Sequence, residues 1–96
     1  MEQLVGIYLE TSPEHLAALR TALAATDPDG VSHSAHTLRS SSVTIGARRL
    51  GELCRLTEQA ASDDDLTLAG ELAQALFAEY ERVAVELEAE ISGVST

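Results

Sequence analysis

The sequence predicts an all-α protein, an antiparallel up-down four-helix bundle with a short extra helix at its amino end. The chain has 96 residues, which suits one small domain. Aromatic residues make up 3% of it, and it holds six glycines and two prolines, a composition that favours helices over strands. Apolar residues recur at steps of three or four, the spacing of one helix face. We therefore treat residues 1–96 as a single helical domain.

Two helical segments are expected before the first strong turn. Residues 2–10 have helical apolar spacing, but the segment is short and contains Gly6, so it is predicted to be a small cap over the other helices. Ser12 followed by Pro13 is typical of a helix start, because serine caps free N–H groups and proline is tolerated in the first turn. A second helix is therefore expected from Ser12 to the turn at residues 27–30.

Three more amphipathic helices follow along the chain. The first is expected from about Pro28 to Ile45, with Gly46 at its end. The next covers residues 48–61, and the acids of "SDDD" at 62–65 precede a long last helix. Short turns between these helices predict antiparallel neighbours in a bundle.

Charge and cysteine content limit the classes of function. The formal charge is −10, with 16 acids against six bases, which opposes binding to nucleic acid or an anionic membrane. All six bases are arginines, so the chain has no lysine for a phosphate-binding loop. The one cysteine, Cys54, cannot form a disulfide within the chain, and the sequence contains neither a signal-peptide pattern nor a long apolar run. These features favour a cytoplasmic location without direct membrane contact, and we expect a monomer. Protein partners are expected.

The stretch "AHTLRSSSVTIGA", residues 35–47, places a histidine on a solvated helix face. At about 100° per residue, His36 lies about 140° from the centre of the apolar face. An exposed neutral imidazole has one nitrogen lone pair that can attack phosphorus. Arg39, one turn later, offers N–H donors to phosphoryl oxygens, and Ser40 is small enough to leave room beside the ring. These three residues predict a phosphoryl-accepting site.

The longer stretch "AHTLRSSSVTIGARRLGELCRLTE", residues 35–58, resembles the signature of histidine-containing phosphotransfer (HPt) domains. That signature reads His-x-Leu-Lys-Gly-Ser-Ser, then an apolar residue and glycine, then spaced leucines and a cysteine. By this resemblance His36 is the phosphoacceptor, and Arg39 and Ser40 replace the usual lysine and glycine. Glu58 stands where the family has a glutamate or glutamine that contacts the ring. The scaffold positions that match are Leu38, Ser41, Ser42, Ile45, Gly46, Leu50, Leu53 and Cys54.

The resemblance implies a phosphorelay intermediate that is not itself an enzyme. His36 would accept a phosphoryl group from a receiver-domain aspartate and pass it to another receiver. The partners would be receiver domains of response regulators or hybrid sensor kinases, which supply Mg²⁺ and the catalytic groups, so no cofactor is expected on this chain. Ser32, His33 and Val43 share the face of His36 and are predicted to contact the partner.

Two other classes of function compete with this interpretation. In the first, the chain is a helical adaptor or dimerisation module, and His36 is incidental. In the second, His33 and His36 bind a metal, but the Glu-x-x-His spacing typical of metal sites in helical bundles is missing from the sequence. We therefore expect no metal site.

Overall fold

A computed structural model describes residues 2–94, with side chains described for 3–91. Over that range the chain forms four helices and no strand: α1 (Glu2–Ala24), α2 (Pro28–Thr44), α3 (Arg48–Ser62) and α4 (Leu66–Val94). Each helix packs against the next in sequence, and α1 also contacts α4. The result is a helical bundle of 47 × 19 × 18 Å, which confirms the predicted all-α class. None of the helices, as far as they are described, is both long and apolar enough to cross a membrane.

The amino-terminal part differs from the sequence prediction. Residues 2–24 form one helix, so the prediction of a separate short helix before Ser12 was wrong. Ser12 is fully buried and does not cap a helix; its hydroxyl bonds to the carbonyl oxygen of Tyr8, one turn earlier. Pro13 removes one backbone donor from the helix, but Tyr8 and Leu16 pack into the same core on either side of it. Burial of this continuous face holds the helix together across the proline.

The other predicted helix ends are confirmed. The Asp27 side chain accepts a hydrogen bond from the Gly30 N–H at 3.2 Å, and Pro28 occupies the first turn of α2. Asp65 similarly accepts from the Leu68 N–H at 3.0 Å at the start of α4. These side chains satisfy N–H groups that have no partner within a helix.

All three connections between helices are three residues long and share one backbone geometry. In each, the middle residue has a positive φ, and the following N–H bonds to a carbonyl five residues earlier. Only one of these three residues is a glycine, which adopts such a φ without strain. The residues with positive φ are Thr26 (49°), Gly46 (84°) and Asp64 (63°).

The core runs along the axis of the bundle and receives side chains from every helix. Its largest fully buried apolar residues are Leu19, Val31, Leu38, Leu50 and Leu76. Cys54 is also fully buried, as its position on an apolar face predicted. Burial raises the pKa of the Cys54 thiol to about 12, so the group stays protonated and packs as a small apolar side chain.

Candidate functional site

His36 lies in the middle of α2 on the side away from the core. Its side chain is 59% exposed, whereas its neighbours Ala35 and Leu38 are fully buried. The predicted orientation of His36 toward solvent is therefore confirmed. It follows from helical geometry alone, because a helix with a buried apolar stripe must turn its opposite face outward.

Glu58 on α3 contacts the ring of His36. Its Oε2 atom lies 3.1 Å from the Nδ1 atom of His36. An ionised carboxylate can only accept hydrogen bonds, so Nδ1 carries the proton and donates it to Glu58. The other ring nitrogen, Nε2, then holds the free lone pair.

Arg39 contacts the same carboxylate through the other oxygen. Its Nη1 atom lies 3.7 Å from Oε1 of Glu58. Because Arg39 follows His36 by one turn, both side chains project from one face of α2 toward Glu58 on α3. The three residues form a single polar cluster that spans two helices.

A close approach of α2 and α3 brings Glu58 within reach of His36. Gly51 on α3 is buried, and a Cβ atom placed there would lie 3.0 Å from Cγ2 of Val43 on α2. A larger residue at position 51 would therefore press against the Val43 side chain. Glu58 lies one position beyond the fully buried Thr57, which places it at the edge of α3 rather than in the core.

Two shallow, open depressions flank the His36 ring. One is lined by Arg39, Ser40 and Val43, and the other by Ser32, His33, Glu58 and Asp29. The structure thus brings all seven residues singled out from the sequence to one surface. It adds Asp29, which sequence reasoning missed although it precedes His36 by seven residues, or two helical turns.

The chemistry of the cluster suits binding to an anionic group more than to a metal ion. No group of three or more histidine, cysteine or acidic side chains is placed to hold a metal within the part of the chain whose side chains are described. Arg39 instead offers a planar set of N–H donors in a depression that His36 also lines, and such donors match the oxygens of a phosphoryl group.

Comparisons with known proteins agree with this geometry. A family model described as the Hpt domain matches residues 3–95. Among solved structures, histidine-containing phosphotransfer protein B (HptB) from Pseudomonas aeruginosa PAO1 is similar, with a TM-score of 0.89 and 28% sequence identity. The match covers 93% of this chain and 77% of that one. A comparison with curated proteins gives no match.

The family model covers nearly the whole chain, and the structural match extends over most of both chains. Both identify the same class of protein, a carrier of phosphoryl groups on histidine rather than a kinase. The helical bundle and the exposed His36 on α2 are consistent with that class. This chain therefore belongs to the Hpt domain family and has a histidine phosphotransfer role in the phosphorelays of two-component signalling.

Proposed function

We propose that His36 is the phosphoacceptor, which takes a phosphoryl group from an aspartyl phosphate of one receiver domain and passes it to the aspartate of another. The observation that carries this proposal is the contact between Nδ1 of His36 and Oε2 of Glu58 on an exposed ring. It leaves Nε2 as a nitrogen with a free lone pair on the solvent side of the bundle. A nucleophile in this state needs no separate base.

In the accepting step, the Nε2 lone pair forms a bond to phosphorus. The bond between phosphorus and the receiver aspartate breaks, and its electron pair leaves with the aspartate as a carboxylate. Nδ1 keeps its proton throughout, so the ring gains positive charge, which the Glu58 carboxylate stabilises. The onward step reverses these changes on a second receiver, and no proton is gained or lost overall.

Arg39 and Ser40 act on the transferred group. The Arg39 guanidinium donates hydrogen bonds to phosphoryl oxygens, and this contact is partly screened because the site is open to solvent. Ser40 lines the same depression and leaves space that a leucine would fill. Mg²⁺ and the remaining catalytic groups belong to the receiver, and this chain brings no cofactor.

The receiver docks on the face around His36 and contacts Ser32, His33 and Val43. Val43 supports this footprint because it is an exposed apolar side chain in the depression that contains His36. A relay needs fast release, which suits an interface on the order of 1,200 Å² or less. The charge of −10 supports a protein partner over nucleic acid.

The proposal also covers the topology of the helices, the oligomeric state and the location of the chain. Connections of three residues between packed helices favour an antiparallel up-down bundle. We propose that the chain works as a cytoplasmic monomer without direct membrane contact, as a separate protein or as a module of a hybrid sensor kinase.

The test is phosphoryl transfer from a phosphorylated receiver to the purified protein, followed as acid-labile, alkali-stable phosphate. Wild type should become labelled, and His36→Gln should not. His15→Gln is the control, since it removes a histidine of α1 that lines neither depression around His36 and should leave labelling intact. Labelling that persists in His36→Gln would contradict the assignment. A wild type that no receiver labels would favour the helical adaptor instead.

A further inference from the structure

The charge of this chain is divided unevenly among its helices. α1 and α4 together carry nine acidic residues against two arginines, whereas α2 and α3 carry three acidic residues against four arginines. The other four acids lie in the connections at 25–27 and 63–65. The formal charge is therefore −7 on the first pair of helices and +1 on the second, so the excess of acids lies outside the pair that carries His36.

The two pairs of helices form opposite sides of the bundle. The helices contact one another in the order α1, α2, α3, α4 and back to α1, so the α2–α3 side faces away from the α1–α4 side. The bundle measures 19 × 18 Å across. At an ionic strength of 0.15 M the Debye length is about 8 Å, so charges on one side are largely screened at the other. Each side therefore presents its own charge to an approaching molecule.

Three arginines from both helices belong to the α2–α3 side. Arg39 on α2 and Arg55 on α3 are 42% and 44% exposed. A hydrogen bond from Arg55, together with the positive charges of Arg55 and Arg39, holds the pKa of the Glu52 carboxyl below its ordinary value, so both arginines act on the same surface. Arg48 is exposed as well and precedes Arg55 by two turns, so it projects in nearly the same direction.

An evenly spread charge of −10 would repel a phosphoryl donor, because a phosphoryl group is itself anionic. We propose that the division of charge orients the encounter with an acidic partner. The α1–α4 side repels such a partner, and the α2–α3 side presents it with a nearly neutral surface that bears arginines. The surface therefore fits a protein with net negative charge around its phosphoryl group. This inference rests on the proposed function, which requires an anionic partner at His36.

The first experiment measures the charge near each side without any partner. A cationic and an anionic nitroxide of the same size are added in turn at 0.15 M salt, and the paramagnetic relaxation of each backbone amide proton is recorded. The ratio of relaxation by the anionic probe to relaxation by the cationic probe should be at least about threefold higher at exposed residues of α2 and α3 than at those of α1 and α4, because surface potentials reach several kT. Equal ratios on the two sides would overturn the proposal.

The second experiment measures the rate of association with a receiver that labels the wild type. Arg48→Gln combined with Arg55→Gln removes two positive charges from the α2–α3 side, and neither residue lines the depressions around His36. At 0.15 M salt this double variant should associate about three- to tenfold more slowly than wild type. If it dissociated faster and associated at the wild-type rate, the arginines would act by direct contact and the proposal would fail.

A matched control separates the position of a charge from the total charge. Gln3→Glu combined with Gln74→Glu also makes the chain more negative by two units, but at exposed positions of α1 and α4. At 0.15 M salt it should change the association rate by less than about 1.5-fold. At 0.01 M the Debye length of about 30 Å exceeds the thickness of the bundle, so this control should then slow association as well. Equal slowing by both double variants at 0.15 M would show that only the total charge matters and would contradict the proposal.

The nitroxide result does not depend on phosphotransfer. If His36→Gln still accepted phosphate, the proposed function would fail while the two sides of the bundle would still differ in charge. If the ratios were equal on both sides while His36→Gln lost labelling, the proposed function would stand and the orienting role of the charge would fail.

Discussion

Two sets of polar side chains in this bundle differ in what surrounds them. The exposed set is the cluster of His36, Arg39 and Glu58 between α2 and α3, whose contacts are 3.1 and 3.7 Å long. The buried set links α1 to both α2 and α4, and we call it the hydroxyl chain. Its members are Tyr8, Ser12, Ser42 and Tyr80.

Each hydroxyl of the hydroxyl chain pairs with another group of the protein. The Tyr8 hydroxyl pairs with Ser42 Oγ at 3.0 Å, and Ser12 Oγ pairs with the Tyr80 hydroxyl at 2.7 Å. Ser12 donates its only proton to the carbonyl oxygen of Tyr8, so Tyr80 must donate to Ser12. Burial raises the pKa of Tyr8 to about 12, which keeps that phenol protonated. No buried side-chain nitrogen or oxygen among the described side chains lacks a partner.

The difference lies in how much bonding capacity remains for other molecules. The hydroxyl chain links α1 to α2 and α4 through bonds that are largely buried, so little of it is accessible to a partner. The exposed cluster leaves Nε2 of His36 free, and solvent reduces the contribution of its ion pairs to stability. The first set stabilises the fold, and the second is available for chemistry. The predictions below test this division.

The largest stability effect is expected from breaking the hydroxyl chain on one side only. Tyr8→Phe leaves Ser42 buried without its partner, and Ser42→Ala does the same to Tyr8, so each should lower the free energy of unfolding by about 1–3 kcal/mol. The double variant should lose less than the sum of the two. Urea denaturation measures all three, with Thr44→Val as a control, since its exposed hydroxyl bonds within α2. Additive losses would show that the two hydroxyls do not depend on each other.

A surface substitution near the cluster should affect binding and leave stability nearly unchanged. Val43→Asp should weaken receiver binding by about tenfold, because it places a charge in the proposed contact. Val85→Asp is the matched control: Val85 on α4 is 66% exposed, Val43 is 59% exposed, and Val85 does not line the depressions around His36. Titration against a receiver measures both affinities. Equal affinities would place the docking surface elsewhere.

Glu79 on α4 is intermediate between the exposed cluster and the hydroxyl chain. It is charged, like the cluster, but its side chain is only 8% exposed. Hydrogen bonds from Arg82, with Arg49 of α3 at 3.4 Å, hold the pKa of the Glu79 carboxyl below its ordinary value of 4.5. A lowered folded-state pKa adds stability above the unfolded-state value, and this stability disappears as the pH falls through the folded-state pKa. Glu79→Gln should therefore lower Tm at pH 7, and the difference from wild type should shrink below pH 4.5. A difference that is constant with pH would exclude this role.

The smallest stability effect is expected at the exposed cluster itself. His36→Gln and Arg39→Ala should each change the free energy of unfolding by less than about 0.5 kcal/mol, because solvent already surrounds both side chains. Denaturation under the conditions used for the Tyr8 variants gives the comparison directly. A loss as large as that of Tyr8→Phe would mean that the cluster also supports the fold.

Features that depend on one helical turn could be predicted from the sequence. The starts of α2 and α4 follow from Asp27 and Asp65, whose side chains accept hydrogen bonds from N–H groups three residues later, and from Pro28 in the first turn of α2. The exposure of His36 follows from the period of the apolar residues around it. Arg39 could be placed on the same side because it lies one turn away. In each case the residues that decide the outcome are close in sequence, so no knowledge of the other helices is needed.

The resemblance to the HPt family predicted the contact of Glu58 with His36, which local sequence patterns did not. The approach of Glu58 to His36 joins residues 22 positions apart, and no periodicity within α2 or α3 predicts their distance. Asp29 was missed for a different reason, since its spacing from His36 was visible in the sequence but an acid near a helix start has an ordinary role there.

The sequence by itself determined the three helices after residue 27 with their turns, the face that carries His36 and an acidic composition suited to protein partners. The tertiary structure decided that residues 2–24 form one helix across Pro13, because the burial of Tyr8, Ser12 and Leu16 outweighs the local signal for a helix start at Ser12. It also decided that Ser42 pairs with Tyr8 and that Glu58 links His36 to Arg39. Helix ends are set by hydrogen bonds within one turn, whereas these contacts depend on how neighbouring helices pack, which no single segment specifies.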